Sequence, residues 1–157
     1  YLDKFYDEKI FRKHNFKVIE VQISKYNKNV FRGIYMQTGR YGEAKFIKLL
    51  SGELIWFTID LRKSSRTFGK IFPFKLSSSK ILYTPRGFAH GFLTLRSDTE
   101  VQYKCSNYYS SEHEGSIRWN SLDIDWPFSG DVILSDKDSD APSISDFKSP
   151  FIYRENS

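Results

Sequence analysis

Residues 45–61 read KFIKLLSGELIWFTIDL, which is two apolar runs on either side of a short turn. The runs are rich in Ile, Leu and aromatic side chains, the composition that β-strands favour. Ser51-Gly52-Glu53 lies between them, and a glycine flanked by polar residues is a turn signal. The stretch therefore predicts strands at 45–50 and 54–61 that pair as a β-hairpin.

The same alternation of apolar runs and turn residues continues on both sides of this stretch. A helix is predicted at 2–14, where the apolar residues recur near a 3.6-residue period. Further strands are predicted at 16–23, 30–37 (interrupted by Gly33), 72–76, 80–84, 91–95 and 100–109. After these the chain is rich in loop-forming residues, and its polar end, 136–157, is expected to wrap the surface. Many short strands separated by turns predict an antiparallel barrel or jelly roll, whose mouth is a natural small-molecule site.

The composition is that of one globular domain. The 157 residues include 24 Lys and Arg against 19 Asp and Glu, a net charge of +5 at pH 7, and 39% of them are hydrophobic. That balance argues against disorder, and the length predicts a single domain over 1–157. No apolar run approaches the roughly 20 residues that span a bilayer. No signal peptide opens the sequence, which begins at Tyr1, so we expect no membrane partner and a cytoplasmic location.

The cysteine and histidine content excludes several kinds of site. Cys105 is the only cysteine, which excludes a disulfide framework and a thiolate-rich zinc site. No two of the three histidines, His14, His90 and His113, lie at metal-ligand spacing, so no metal is expected. The modest positive charge has two interpretations, a soluble surface or an anionic ligand such as a phosphate. Lys and Arg alternate with acidic residues and form no dense basic block, so no nucleic-acid partner is expected.

A set of local strings adds a resemblance to a known family. In chain order the strings are Arg32-Gly33-Ile34-Tyr35-Met36-Gln37, Gly52-Glu53, Ile59-Asp60-Leu61-Arg62, Thr67-Phe68-Gly69, Pro85-Arg86-Gly87-Phe88-Ala89-His90-Gly91-Phe92, Tyr103-Lys104, Asn107-Tyr108-Tyr109, Glu114-Gly115-Ser116-Ile117, Trp119-Asn120, Trp126-Pro127 and Leu134-Ser135-Asp136-Lys137-Asp138. Their order and spacing resemble the dTDP-4-dehydrorhamnose 3,5-epimerases over residues 1–142. The resemblance implies an all-β double-stranded β-helix, the cupin jelly roll, with a short N-terminal helix and a loop-rich C-terminal tail. It also implies a homodimer.

Members of that family act on a nucleotide-diphosphate-linked 4-keto-6-deoxy sugar, and the resemblance implies the same class of substrate here. The ketone at carbon 4 acidifies the protons on carbons 3 and 5. A base removes one of them, an enolate forms, and an acid returns a proton on the opposite face. This chemistry needs a cation beside the enolate oxygen and another at the diphosphate, but no cofactor and no metal.

The resemblance assigns catalytic roles by motif position. The family's enolate-stabilising lysine matches Lys45, and its general acid matches Tyr103 in the Tyr-Lys string. The aspartate that orients the family's base matches Asp138. The base itself is a histidine in the family, and Tyr35 stands at its position.

The same comparison assigns substrate-binding residues. Arg32 matches the arginine that contacts the diphosphate, since its forked guanidinium suits that group. Gln37 ends the same string, and Gln22 begins a shortened form of the family's Gln-Asp-Asn string. His90 is expected to line the pocket, and Glu114 matches a glutamate on the nucleotide side.

Three departures from the family pattern bear on activity. Tyr35 is either a substitute acid or base or an aromatic filler, because a phenol with a pKa near 10 is a base only if a cation such as Arg32 or Lys45 lowers that pKa. Trp56 replaces an acidic residue and is expected to narrow the pocket. The family's N-terminal Asp-Arg-Gly strand has no match here, so either the sequence given lacks it or the protein has lost part of its nucleotide contact.

Two functions are compatible with these residues. The first is an epimerase or isomerase of a nucleotide-linked 4-keto-6-deoxy sugar, with altered specificity, because Arg32, Lys45 and Tyr103 remain. The alternative is a catalytically inactive cupin that binds a sugar nucleotide or a partner protein, because the base histidine is replaced and Trp56 fills a polar position.

Overall fold

The computed structural model describes residues 7–128 and 130–154. Helix α1 spans Glu8–Lys13 and helix α2 spans Asp136–Ser139. In the described residues the strands are β1 Glu20–Tyr26, β2 Phe31–Gln37, β3 Lys45–Ser51, β4 Leu54–Asp60, β5 Ile71–Leu76, β6 Ile81–Thr84, β7 Phe88–Thr94, β8 Thr99–Cys105 and β9 Glu114–Ser116. No helix in this part of the chain is long and apolar enough to cross a membrane.

The strands form two antiparallel sheets that pack face to face. One sheet has the strand order β1-β8-β3-β6, and the other has the order β5-β4-β7-β2-β9. Apolar side chains from both sheets fill the space between them, among them Ile47, Trp56 and Val101. This architecture confirms the all-β jelly roll predicted from the sequence, with its short N-terminal helix.

A second apolar cluster covers the outer face of the five-stranded sheet. Phe57 of β4 packs on Trp126, with ring centroids 4.8 Å apart, and Phe31 of β2 packs on Trp119 at 5.4 Å. The C-terminal segment returns to the sandwich farther along, where Ile152 forms a parallel bridge. The loop-rich tail thus packs on the apolar outer face of this sheet, and it also carries Asp138 to the sandwich.

The predicted hairpin at 45–61 is wrong, because β3 and β4 lie in different sheets. Their apolar side chains face one another across the sandwich instead of pairing side by side. The turn between them is held by the end of β7 and the start of β8. The Glu53 N–H donates to Thr99 Oγ1, in β8, at 3.2 Å, and the Leu95 N–H, just after β7, donates to the Glu53 carbonyl at 2.8 Å. Gly52 makes this crossing possible, because its φ is +81° and a Cβ there would lie 2.5 Å from Thr99 Cα.

Other boundaries differ from those predicted. The helix begins after Asp7, whose side chain accepts from the Lys9 N–H at 2.9 Å, while the predicted residues 2–6 lie outside the described part of the chain. The strand predicted at 16–23 begins later, at Glu20, because Phe16 packs against the Phe46 ring at 4.9 Å. Strand β9 and helix α2 are not predicted at all, since both are too short to show a period.

A β-bulge in β2 decides which side chains face the interior. Arg32 pairs with Phe92 and Tyr35 pairs with His90, so two residues of β2 lie opposite Gly91 alone. Because Phe92 and His90 are two apart on β7 and share a face, Arg32 and Tyr35 also share that face although they are three apart. Gly33 has a φ of +119°, and a Cβ on it would lie 2.6 Å from Gly91 Cα. The interrupting glycine seen in the sequence is therefore the residue that turns both side chains inward.

Candidate functional site

The predicted site residues meet between the two sheets. Lys45 of β3 and Tyr103 of β8 come from the four-stranded sheet, while Tyr35 of β2 and His90 of β7 come from the other. Lys45 Nζ lies 3.4 Å from His90 Nε2, which joins the two sheets directly. Arg32 reaches across in the same way, with its guanidinium carbon 5.8 Å from the centroid of the Tyr26 ring on β1.

Lys45 is held by two polar partners. Its ammonium nitrogen lies 2.9 Å from Glu43 Oε1 and 3.4 Å from His90 Nε2. The Tyr103 ring lies on a further side, with its centroid 5.9 Å from Lys45 Nζ. Both members of the ion pair are mostly buried, with 16% of the Lys45 side chain and 8% of the Glu43 side chain exposed. This is the kind of fixed cation that stabilises a developing enolate oxygen.

His90 is kept neutral by its surroundings. Burial lowers the pKa of its imidazole well below 6.5, and the positive charge of Lys45 lowers it further. Trp56 stacks almost parallel on the imidazole, with an interplanar angle of 7° and ring centroids 5.3 Å apart. An ammonium group can only donate, so in this contact the unprotonated ring nitrogen is Nε2, which accepts from Lys45.

Trp56 fills the middle of the sandwich. It is fully buried, and its other neighbours are Phe92 at 5.6 Å and Tyr103 at 6.0 Å between ring centroids. Its indole N–H has no partner among the described residues. The side chain therefore occupies space beside the site as an apolar plane and fixes the position of His90.

Tyr103 presents a protonated hydroxyl. Its oxygen lies 3.0 Å from Ser24 Oγ on β1, and burial raises the pKa of the phenol above its usual value. A phenol in this state is a proton donor at neutral pH. The position fits the role of general acid that the sequence predicts.

Asp138 is brought to the site by a local capping motif. Ser135 is the N-cap of helix α2, and its hydroxyl donates to Asp138 Oδ2 at 2.7 Å. The carboxylate is completely buried and accepts three further hydrogen bonds. These come from Arg32 Nη1 at 3.3 Å, from the Gly33 N–H at 3.4 Å and from the Tyr35 hydroxyl.

Tyr35 keeps its proton in this setting. Burial is the largest cause that raises the pKa of the phenol, and the hydrogen bond to Asp138 and its negative charge raise it further. Arg32 acts in the opposite direction but is the weaker influence. The condition under which Tyr35 alone is a base, a pKa lowered by a nearby cation, is therefore not met. Lys137 lies against the ring, with Nζ 4.3 Å from its centroid.

The remaining predicted binding residues are Gln22, Gln37 and Glu114, on strands β1, β2 and β9. Gln22 faces the interior side of β1, opposite Tyr103, and its amide donates to Glu20 Oε1 at 2.7 Å. Gln37 is buried, and its amide oxygen accepts from the Ser110 N–H at 3.1 Å. Glu114 of β9 accepts from Lys137 and, at 3.1 Å, from the Tyr109 hydroxyl.

Several residues of the site are missing from the sequence prediction. Glu43, Ser24, Ser135 and Lys137 each contact a predicted residue. Ser135 has a readable signal, because a serine three residues before an aspartate is an N-terminal capping pattern. Ser24 and Lys137 have none, since the residues they contact are distant in the sequence. Glu43 lies two residues from Lys45, but its burial beside that ammonium depends on packing that no local pattern shows. Among the described residues no group of three His, Cys, Asp or Glu side chains is arranged to hold a metal ion.

Comparison with known proteins agrees with this geometry. A family model described as dTDP-4-dehydrorhamnose 3,5-epimerase matches residues 1–146. The chain is 42% identical over 146 residues to the dTDP-4-dehydrorhamnose 3,5-epimerase of Salmonella typhimurium, a match that covers 90% of this chain and 79% of that protein. It is 33% identical over 163 residues to the same enzyme of Sinorhizobium fredii, covering 98% and 82% of the two chains.

Solved structures show the same similarity. A dTDP-6-deoxy-D-glucose-3,5-epimerase from Legionella pneumophila, in complex with dTDP-4-keto-L-rhamnose, superposes with a TM-score of 0.89 at 30% identity and covers 96% of this chain and 85% of that one. The dTDP-4-dehydrorhamnose 3,5-epimerase of Elizabethkingia anophelis gives 0.84 at 39% identity, over 90% and 81%. A 3'-monoepimerase from Streptomyces bikiniensis, in complex with dTDP-quinovose, gives 0.81 at 26% identity, over 90% and 74%.

Proposed function

This chain belongs to the dTDP-4-dehydrorhamnose 3,5-epimerase family, and from that premise we propose that it epimerises a nucleotide-diphosphate-linked 4-keto-6-deoxy sugar. One observation carries the proposal. A buried cation, Lys45, lies beside a protonated phenol, Tyr103, on one wall of the sandwich, and the opposite wall carries Arg32 and the Tyr35–Asp138 pair. These are the groups that an enolisation next to a ketone requires.

Arg32 binds the diphosphate. Within residues 7–128 and 130–154 its guanidinium donates one hydrogen bond, to Asp138, which leaves several of its five N–H donors for a ligand, and about a third of the side chain, 32%, is exposed. A guanidinium fork matches two phosphate oxygens better than an ammonium does. With the nucleotide held there, the sugar enters the space between Lys45 and Tyr35.

Lys45 meets the charge that develops on the carbonyl oxygen. When the proton leaves carbon 3 or carbon 5, the electron pair of the C–H bond moves toward the ketone and makes an enolate. Lys45 is fixed before the reaction by Glu43 and His90, so it stabilises this oxygen without having to reorganise.

Tyr35 and Asp138 take the proton as a pair. The Tyr35 oxygen accepts the carbon-bound proton while its own phenolic proton passes to Asp138, with which it is hydrogen-bonded. Tyr103 then donates its proton to the carbon on the opposite face. Exchange with water returns a proton to Tyr103 and removes one from Asp138, which restores the starting state.

A second function, binding of a sugar nucleotide without turnover, is favoured by a separate observation. Tyr35 retains its proton, and the Asp138 carboxylate already accepts hydrogen bonds from four donors. A pair this well satisfied is stable as a structural link between α2 and β2. In that case Arg32 still holds the nucleotide, but no proton moves.

Deuterium exchange separates the two functions. The protein is incubated with dTDP-4-keto-6-deoxyglucose in heavy water, and deuterium at carbons 3 and 5 is followed by NMR. Exchange at either carbon supports the epimerase, and exchange at only one identifies a monoepimerase. Calorimetric binding of dTDP with no exchange identifies the non-catalytic binder. Absence of both rejects a sugar-nucleotide function.

The assembly proposed is a homodimer of single-domain chains. It follows from the family resemblance, and sedimentation equilibrium tests it by the mass of the particle in solution. One cooperative urea transition, monitored by fluorescence and by circular dichroism, tests the single domain.

A further inference from the structure

Glu43 is a buried carboxylate for which the proposed reaction has no direct use. It lies two residues before Lys45, with 8% of its side chain exposed, and its Oε1 is 2.9 Å from Lys45 Nζ. The hydrogen bonds and charges around it come from Lys45, from the thiol of Cys105 on β8 and from the negative charge of Glu20 on β1. The thiol stays protonated, because burial raises the pKa of Cys105 to about 12, and it is therefore a donor to Glu43.

The geometry around Lys45 shows what this carboxylate does. An ammonium group has three N–H donors. Glu43 takes one, and the neutral imidazole of His90, held flat against Trp56, takes another. Among the residues that the structure describes, no further polar partner takes the third donor, which is left for an oxygen that enters the space between the sheets.

We infer that Glu43 is a positioning residue, which holds the Lys45 ammonium against His90 so that its third N–H is presented to the carbonyl oxygen of the substrate. This inference rests on the proposed function for the identity of that oxygen. Without the carboxylate, the four-carbon stem of Lys45 keeps, among the described residues, only the 3.4 Å contact with His90 and the weaker contact with the Tyr103 ring. Glu43 itself does not touch the substrate and acts only through Lys45.

The matched test uses Glu43→Gln with Glu53→Gln as the control. Glu53 also pairs with a lysine, Lys75, but it lies in the turn between β3 and β4, with 31% of its side chain and 69% of the Lys75 side chain exposed. We expect kcat for deuterium exchange to fall about 100-fold in Glu43→Gln, the loss that a small misplacement of a reacting group causes, with KM little changed. The control keeps the wild-type kcat. A wild-type kcat in Glu43→Gln overturns the inference.

A double-variant cycle tests whether Glu43 acts through Lys45. In a Lys45→Met background, Glu43→Gln is expected to cause no further loss of kcat, because the group that it positions is absent. Equal fractional losses in both backgrounds contradict the inference, because they show a general structural role.

The pH profile gives a third measurement. Burial raises the pKa of Glu43 above its usual 4.5. As the pH falls toward this raised pKa, the carboxyl takes up a proton and no longer holds the Lys45 ammonium. The wild-type kcat is expected to show an acid limb that Glu43→Gln lacks. An identical limb in both proteins contradicts the inference.

One measurement does not need turnover. In protein with ¹³Cε-labelled lysine, assigned with Lys45→Met, the Lys45 signal is expected to shift and sharpen in Glu43→Gln but not in Glu53→Gln. An unmoved signal overturns the positioning role whether or not the wild-type protein turns over. A moved signal with an inactive wild-type protein rejects the proposed reaction and supports the tether.

Discussion

The hydroxyl of Tyr35 donates a hydrogen bond to the buried carboxylate of Asp138, a residue 103 positions later in the chain. The contact ties strand β2 to helix α2 and places a phenol where the family resemblance predicts a histidine. Whether this pair moves a proton or only joins two segments decides between the two proposed functions.

Removing the Tyr35 hydroxyl tests its role. We expect Tyr35→Phe to lower the deuterium-exchange rate by about 10²- to 10⁴-fold, the usual contribution of a positioned acid or base, while calorimetric dTDP binding is retained. Tyr153→Phe, in the tail, is the control and keeps the wild-type rate. An unchanged rate in Tyr35→Phe shows that the ring is an aromatic filler.

Restoring a histidine tests the base directly. An imidazole with a pKa near 6.5 accepts a proton without first passing one to Asp138. We expect Tyr35→His to exchange deuterium roughly tenfold faster than the wild-type protein near pH 7. A rate no higher than that of Tyr35→Phe means that the histidine cannot use Asp138 in this site, and it counts against an intact catalytic scaffold.

The diphosphate contact is tested by a change that keeps the charge. Arg32→Lys retains the positive charge but loses the fork, so we expect dTDP to bind about tenfold more weakly in calorimetry, or about 1.4 kcal/mol. Arg66→Lys, on an exposed loop, is the control for the same chemical change. Equal affinity in all three proteins places the diphosphate elsewhere.

The stability of the protein is expected to depend on His90 in weak acid. Because burial lowers the pKa of the folded His90 well below 6.5, the unfolded state binds its proton first as the pH falls. The stability contributed by the neutral His90 is fully present above pH 6.5, and below it the free energy of unfolding falls by up to about 1.4 kcal/mol per pH unit. Urea unfolding between pH 7.5 and 5 measures the slope. His90→Gln is expected to flatten it, while His14→Gln, at an exposed position, leaves it steep.

The bulge in β2 is tested at Gly91. A Cβ there lies 2.7 Å from the Arg32 carbonyl oxygen, a rigid neighbour, so Gly91→Ala is expected to lower the free energy of unfolding by roughly 3 kcal/mol. Gly69→Ala is the control, because its φ is +75° but a Cβ there meets nothing within 4 Å, and about 1–2 kcal/mol is expected. If urea unfolding shows the same loss of unfolding free energy in Gly91→Ala and Gly69→Ala, the steric argument is contradicted.

Sequence periodicity predicts which segments are strands but not how they pair. The residues 45–61 contain two real strands, and their apolar side chains do face each other, but across the sandwich. A tight turn with glycine is compatible with either arrangement, and its hydrogen bonds to Thr99 and Leu95 decide between them. Such contacts come from distant residues, so no local pattern contains them.

In the candidate site, too, some features can be predicted from the sequence and others cannot. Lys45 and Tyr103 both point into the interior, as their motif positions predict. Side chains alternate between the two faces of a regular strand, so the facing of each of these residues can be read from its strand. Arg32 and Tyr35 do not obey that parity, because the bulge at Gly33 inserts a residue between them. The protonation of Tyr35 depends on burial and on Asp138, and neither is visible in a motif.

The strand order of the two sheets also has a consequence for how the chain reaches its native state. Gln22 pairs with Tyr103, and Arg32 pairs with Phe92, so the first strands cannot complete their sheets until much of the chain is available. Chains dominated by such distant pairings have a high contact order and fold slowly, on a scale of milliseconds to seconds. Asp138 lies beyond the last strand. Every described strand is therefore synthesised before Asp138, the residue that completes the contact with Tyr35.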